Sequence, residues 1–514
     1  MNHPPVVIAD FRPFYWQIAI IASHDVCEQI TKSSKTFPYS VPKSPTMGEL
    51  LPLIGERSLL IAEDDTWKAL RRTYNQGFAP THLATLLPRI VEKTKLFLHR
   101  LDELAKSGTS SPMDNLCIDL TFDIIGAVVM DVDLNAQLNT SEQSALVRYY
   151  RQLISTYTDQ SGLIGIPTNP FLTRRRKKLT KLIDDELKAI ITSQHAEVIA
   201  AKDADAEPSN NNRKNRPRSV LALSLQADYA SPTTSSSSLS ALALQTTADT
   251  LKTFLFAGHD TTSVLLQWAF YELSRTPRAL ASLRAELASV FGPAATSGDI
   301  ADALAAPAGD DALKKLAYTS AVIKETLRLY PPAGSARRAP PGAGLTVTVP
   351  DDDGETTKSV CLDGFVLYSC HFLVQRDPAV YGPDADEWVP ERWLGDVDTS
   401  RVDEIPESGG TPSKTTTNKV PPGAWRPFER GPRNCIGQEL ANLEARVILA
   451  VAARRYDFVK VGAGEVRKDA DGRPVLDDVK GRYEVVSPMF NTRQVTAKPF
   501  DGMVMSVKFH EQQA

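Results

Sequence analysis

Apolar residues recur along this chain with two periods, and the longer one dominates. Spacings of three and four residues mark helices. Helices are predicted over residues 67–76 and 83–104; in the second, Leu87, Ile90, Leu96 and Leu101 supply the apolar positions. Residues 116–130 are apolar almost throughout, which predicts a buried helix. Residues 174–200 are amphipathic and highly charged. The longest helical stretch runs over residues 242–274 and is closed by Pro277. At 1.5 Å per residue it spans about 50 Å, enough to cross a domain.

Strand signals are fewer. Val6, Val7 and Ile8 form one, and residues 17–21 another, around a turn at Arg12 and Pro13. Residues 346–349, 365–368 and 504–508 follow late in the chain. Three polar segments, 203–218, 231–240 and 400–419, hold too few apolar residues to order themselves and read as inserted loops. No internal repeat stands out. The expectation is a mainly α chain with small β-sheets and a long central helix.

Composition narrows the class. With 514 residues the length prior allows roughly three domains, but also one large core. Hydrophobic content of 42% and charged content of 23% suit a globular chain, and a net charge of -4 gives no basic field for nucleic acid. The cysteines, Cys27, Cys117, Cys361, Cys370 and Cys435, are odd in number, scattered, and free of any Cys-x-x-Cys pair. That argues against a disulfide framework and against a zinc site. No stretch of about 20 apolar residues predicts a transmembrane helix, and no signal peptide is visible.

Cys435 is the candidate centre. It stands in Pro427-Phe428-Glu429-Arg430-Gly431-Pro432-Arg433-Asn434-Cys435-Ile436-Gly437, directly before an apolar helix pattern. A lone Cys is by default a small buried hydrophobe. Here a helix N-terminus and Arg433 both favour the thiolate, and glycines let the backbone curl around the sulfur. That suits a Cys ligating a haem iron. The stretch resembles the haem-binding loop of the cytochromes P450, Phe-x-x-Gly-x-Arg-x-Cys-x-Gly, in which thiolate holds the iron. Many family members carry Gly or another small residue where Glu429 stands.

The long helix contains Phe256-Ala257-Gly258-His259-Asp260-Thr261-Thr262. Asp and Thr in a helix are often only solvated or bonded back to the preceding turn. Yet Gly costs about 1 kcal/mol there, and a run of poor helix formers suggests a functional groove. Gly258 would let a flat ligand or dioxygen approach the backbone. Thr261 could hydrogen-bond a reduced oxygen species and Asp260 relay protons from water. The run resembles the family's oxygen-activation motif. Glu325 and Arg328 share a helix face, which alone could be an ordinary surface pair. With Pro390-Glu391-Arg392-Trp393 they resemble the family's Glu-x-x-Arg helix and Pro-Glu-Arg segment. The resemblance implies a buried triad of Glu325, Arg328 and Arg392 that fixes the loop leading to Cys435.

Trp67 and Arg71, four apart, match family positions that bind a haem propionate, as do Arg338 and Arg433; Arg337 is adjacent and a swap with Arg338 stays open. The resemblance covers about residue 67 to the C-terminus. It implies one domain over residues 1–514, with a strand-containing part over about 1–66 and a helical, haem-binding part over about 67–514. It further implies haem b, a small lipophilic substrate, O2, and an apolar pocket lined by Phe254, Ala257, Thr261, Ala333, Gly334, Ser335 and Phe490. No flavin or nicotinamide fingerprint appears, so electrons are expected from a separate NADPH-cytochrome P450 reductase docking near the Cys loop. The loops at 203–218 and 231–240 resemble insertions in fungal members, and a role in secondary metabolism is expected. Without an anchor helix in this chain, the expected location is the cytosol or the cytosolic face of the endoplasmic reticulum. Two rivals stand beside a monooxygenase: a haem-thiolate isomerase or dehydratase, and a non-catalytic haem binder.

Overall fold

In the computed structural model, residues 4–157, 169–205, 219–229, 239–351, 356–394 and 420–510 are described. The early strands form where the sequence predicts them. Strands β1 (Val6–Asp10) and β2 (Gln17–Ile21) pair antiparallel, with Val6 opposite Ile21. Helix α1 (His24–Thr31) follows, then α2 (Asp64–Asn75), α3 (Met113–Ile125), α4 (Pro170–Asp205), α5 (Ala241–Arg275) and α6 (Ala317–Leu329). Strands β3 (Ser335–Arg338) and β4 (Val366–Ser369) precede α7 (Gln438–Arg455), and β5 (Asn491–Gln494) and β6 (Thr496–Pro499) form a late hairpin. The first sheet has the order β1-β2-β4-β3, with β2 parallel to β4 and β3 antiparallel to it. The strand signals at 346–349 and 504–508 correspond to Thr346–Pro350 and Val504–Phe509. Strand β3 carried no sequence signal.

Several expectations shift. The predicted helix over 83–104 is two helices, Pro80–Thr85 and Leu87–Ser107. Pro88 explains the break, because a proline lacks the N–H an ongoing helix needs and suits a first turn. The stretch 116–130 begins earlier, at Met113, and its end, Gly126–Met130, winds as a π-helix closed by Asp131 at φ 51°. Helix α5 has 35 residues, one fewer than α4 with 36, so it is not the longest. Residues 203–205 belong to α4 rather than to a loop. The remaining loop predictions lie outside the described residues, except that Ser240 caps α5 by accepting from the Ala243 N–H at 3.1 Å.

The main core fills the space between helices, and a smaller one lies beneath the first sheet. Helix α5 crosses α3 closely at Gly258. A Cβ built there would stand 2.6 Å from Ile125 Cδ1. Thr121 of α3 donates to the His259 carbonyl at 2.8 Å just beside this contact. The glycine therefore serves helix packing, not the approach of a flat ligand or dioxygen, and that expectation is corrected. Among the described residues no helix is long and apolar enough to cross a membrane.

Candidate active site

The Cys loop is a closed turn. The Cys435 N–H donates to the Phe428 carbonyl at 2.8 Å. Gly431, at φ +79°, passes so close to α1 that a Cβ would collide with the Thr31 carbonyl. Glu429 occupies a left-handed position, φ +56°, that usually favours Gly. Its carboxylate explains why: Arg426 grips it at 2.6 and 2.9 Å, and His371 lies 3.6 Å away. Burial opposes its ionisation, but His371 and Arg426 hold it well below the usual carboxylate range.

The Cys435 sulfur is accessible through a cavity of about 220 Å³ lined by Arg71, Asn75, Phe78, Asn434, Ile436 and Gln438, although protein surrounds it on its other sides. That enclosure pushes the thiol above its ordinary value; backbone N–H groups of Gly437 and Gln438 and the charges of Arg71 and Lys43 pull the other way. The helix N-terminus therefore acts on the sulfur as expected. Arg433 does not. It pairs with Glu63 and donates to the carbonyls of Leu60 at 3.2 Å and Ala62 at 2.7 Å.

Beside the cavity stands a group of cations. Trp67 is buried, with Tyr39 at 5.3 Å on one side and the Arg433 guanidinium 5.2 Å from its ring. Arg71 donates to the Asn434 carbonyl at 2.7 Å, to Asn434 Oδ1 at 3.0 Å and to Asn75 Oδ1 at 2.8 Å. Arg337 is fully buried and donates only through Nη1, to Ser40 Oγ and the Val41 carbonyl. Its Nε and Nη2 have no hydrogen-bond partner among the described residues. Lys43 faces Arg337 across a β-bridge. Lys43 as a whole is half-buried, and its ammonium is pushed down to about 7, first by desolvation and then by Arg337 and Arg433.

Arg338 is not in this group. Successive residues of a strand point to opposite faces, so Arg338 turns away, bonds the Gly364 carbonyl at 3.0 Å and lies 4.0 Å from the Trp16 ring. Of the two, Arg337 is the one that stands with Lys43 and Arg433. Lys43 and Glu63 were missed because neither belongs to a motif; they reach the group only through the fold.

The acid of the long helix is also held. Asp260 is 2% exposed; its Oδ2 accepts from Thr496 at 2.6 Å, and Lys498 stands 2.9 Å from Oδ1. Thr261, half-buried, donates to the Ala257 carbonyl at 2.7 Å. Glu444 of α7 is buried against Thr262, and desolvation pushes it up to about 8. Of the expected pocket residues, Phe254 packs at 5.1 Å on both Tyr74 and Phe78, the latter a cavity wall. Phe490 is exposed and stacks on Phe500 at 4.7 Å.

The triad is assembled. Arg328 spends all five N–H groups, two on Glu325 at 2.7 and 2.8 Å and three on the carbonyls of Gln375, Ala385 and Glu387. Arg392 approaches Glu325 at 3.5 Å, and Trp393 and the Val389 N–H donate to the same carboxylate, each at 2.9 Å. Gln375 carries the frame onward. It donates to the carbonyls of Leu327 and Arg328 and accepts from the Arg426 N–H at 2.8 Å, at the start of the Cys loop.

A thiol at a helix N-terminus, open to a cavity walled by Arg71, with a crowded Lys43 ammonium acting on it and the unpaired N–H groups of Arg337 across the bridge from Lys43, fits an iron porphyrin with two carboxylates. The comparisons agree. The family model for Cytochrome P450 matches residues 11–476, and the chain belongs to that family. Its members are haem-binding, oxygen-incorporating oxidoreductases. The chain is similar to cytochrome P450 monooxygenase acrF of Aspergillus aculeatus, 32% identical over 97% of this chain and 93% of that one. It is similar to cytochrome P450 monooxygenase polC of Polytolypa hystricis, 29% identical over 87% of this chain and 72% of the relative. A bifunctional cytochrome P450/NADPH–P450 reductase of Gibberella moniliformis is 28% identical over 69% of this chain, which spans 27% of it. The crystal structure of a cytochrome P450, CYP102L1, superposes with a TM-score of 0.69 at 18% identity, covering 99% of this chain and 96% of the other, and shares the fold.

Proposed function

We propose that this chain is a haem-thiolate monooxygenase that places one atom of O2 into a small apolar molecule, in secondary metabolism, with Cys435 as the axial ligand of haem b. The observation that supports this most is the Cys435 sulfur, turned to a cavity and cupped by the N–H groups of Gly437 and Gln438. The bound haem supplies oxygen activation; the chain supplies the rest. Arg337, Arg433, Arg71, Lys43 and Trp67 border the place for the two porphyrin carboxylates, where guanidinium forks can each take two oxygens. The fully bonded Glu325–Arg328 pair, with Arg392, holds the segment that leads into the Cys loop. Asp260 takes up protons, and Thr261 presents the hydroxyl that passes them on. Electrons come from an NADPH-dependent reductase; the fused relative, whose name joins the two activities, supports that source.

The test is NADPH consumption and product formation with an added reductase, with and without oxygen. The wild-type chain is expected to consume NADPH only with oxygen and substrate. Cys435→Ala is expected to lose both turnover and the thiolate signature of the ferrous–CO spectrum. Thr261→Ala is expected to keep that spectrum and release peroxide at the expense of product. An unaltered ferrous–CO spectrum in Cys435→Ala would overturn the assignment.

A further inference from the structure

The Cys loop holds a charge at a backbone position that suits no side chain. Glu429 stands at φ +56°, where glycine sits without strain and a larger residue does not. Its side chain is 10% exposed. Arg426 donates to one oxygen, Oε1, through Nε at 2.9 Å and Nη2 at 2.6 Å. The other oxygen, Oε2, has no hydrogen-bond partner among the described residues, and His371 Nε2 stands 3.6 Å from it. A strained, desolvated carboxylate with half its acceptors unused is a costly way to close a turn. The charge itself is the remaining reason for a glutamate here.

Arg426 does not cancel that charge on the side of the cation group. Its remaining contacts go to α1 and the turn before it: the His24 carbonyl at 3.4 Å, the Thr31 hydroxyl at 3.3 Å and the Gly423 carbonyl at 3.1 Å. Glu28 of α1 lies 3.5 Å from the same guanidinium and accepts from Arg430 at 2.8 Å. The cation of the pair thus lies against α1. The anion is felt elsewhere. Glu429 is the strongest charge acting on Arg337, where Arg426 acts more weakly. It also acts on Lys43, and Lys43 acts in turn on the Cys435 sulfur. The backbone brings Glu429 close as well. The Cys435 N–H donates to the Phe428 carbonyl at 2.8 Å, and that carbonyl belongs to the peptide joining Phe428 to Glu429.

We propose that Glu429 sets the reduction potential of the haem held by Cys435: its buried carboxylate, fixed within the Cys loop by Arg426, is a permanent anion that opposes the arrival of an electron at the iron. The proposal rests on the reading of Cys435 as the haem ligand. One electron from the reductase converts iron(III) to iron(II). Glu429 keeps its charge and its Arg426 bonds throughout, and no proton or covalent bond in the loop changes. A fixed negative charge in a desolvated place favours the oxidised, more positive centre, so its removal makes reduction easier.

The test is a dye-mediated potentiometric titration of the haem-loaded, substrate-free protein, with no reductase present. Glu429→Gln keeps an acceptor for Arg426 and drops the charge. It is expected to raise the ferrous-to-ferric ratio at a fixed potential about tenfold, which for one electron is about 59 mV, with the thiolate signature of the ferrous–CO spectrum kept. Glu429→Asp keeps the charge and is expected to bring the potential back towards the wild-type value. If Glu429→Gln does not fold, Glu429→Gly, which the φ of +56° suits, reads the same loss of charge. A ratio that stays at the wild-type value overturns the proposal. So does an equal shift in Glu429→Asp and Glu429→Gln, or loss of the thiolate signature in both Glu429→Gln and Glu429→Gly, because each assigns the residue to the shape of the loop. A wild type without that signature overturns the reading of Cys435 beneath the proposal instead.

Discussion

Two arginines in this protein are equally buried and differ in one respect. Arg328 and Arg337 both show 0% exposure. Arg328 has every N–H bonded, and Glu325 outweighs burial to leave its pKa raised. Arg337 leaves Nε and Nη2 unpaired, and burial leaves it pushed down to about 10. A buried polar group without a partner costs free energy. A folded chain tolerates that where a binding partner later supplies the bonds. Under the proposed function, the contrast separates a charge cluster that builds the frame from one that would face the haem carboxylates, with no reference to motif.

The sharpest break in this comparison is Arg328→Met. It strands the Glu325 carboxylate in the interior, and removing one partner of a buried pair costs about 3–5 kcal/mol. Thermal melts should fall by the same amount in haem-loaded and haem-stripped protein, because the loss lies in the frame. Arg337→Met should do the reverse. It removes a strained charge, so the stripped protein should be no less stable. The loaded protein should lose a charged hydrogen bond of about 1.5–3 kcal/mol, a roughly ten- to hundredfold faster haem release, measured by transfer to an acceptor globin. Arg338→Met is the control one residue away. With only the Gly364 bond and the Trp16 face to lose, it should change haem release little, and stability by under about 1 kcal/mol. Equal haem release from the two variants would erase the distinction between the faces of β3.

Those residues also mark what could be read from the chain alone. The Cys435 loop and the Glu325–Arg328 contact were legible because their chemistry lies in short spacings: a turn before a helix, and two residues three apart on one face. Arg392 was readable only through the Pro-Glu-Arg pattern. The choice between Arg337 and Arg338 was not legible, since it turns on the phase of a strand whose pairing with β4 is long-range. Lys43, Glu63, Thr496 and Lys498 were invisible for a related reason. Each stands in a segment without pattern, and each acquires its partners only when distant elements meet. Gly258 was seen but misread: a missing side chain looks the same in sequence whether it admits a ligand or the Ile125 side chain.

Lys43 gives the finest test. Its folded pKa, about 7, lies below the ordinary 10.5. Between those values the unfolded chain binds more protons than the folded one, so stability contributed by this group rises with pH across that window. Below about pH 7 the ammonium is charged in both states and its burial beside Arg337 and Arg433 counts fully against folding. In haem-stripped protein the wild type should therefore gain stability relative to Lys43→Met as pH climbs from about 7 towards 10, read as a converging difference in melting temperature. In loaded protein the porphyrin carboxylates would offset the neighbouring cations and hold Lys43 charged, so that slope should vanish, and haem binding near pH 8–9 should take up a proton. An identical slope with and without haem would mean that the ligand does not reach Lys43, and the cation group would shrink to Arg337, Arg433 and Arg71.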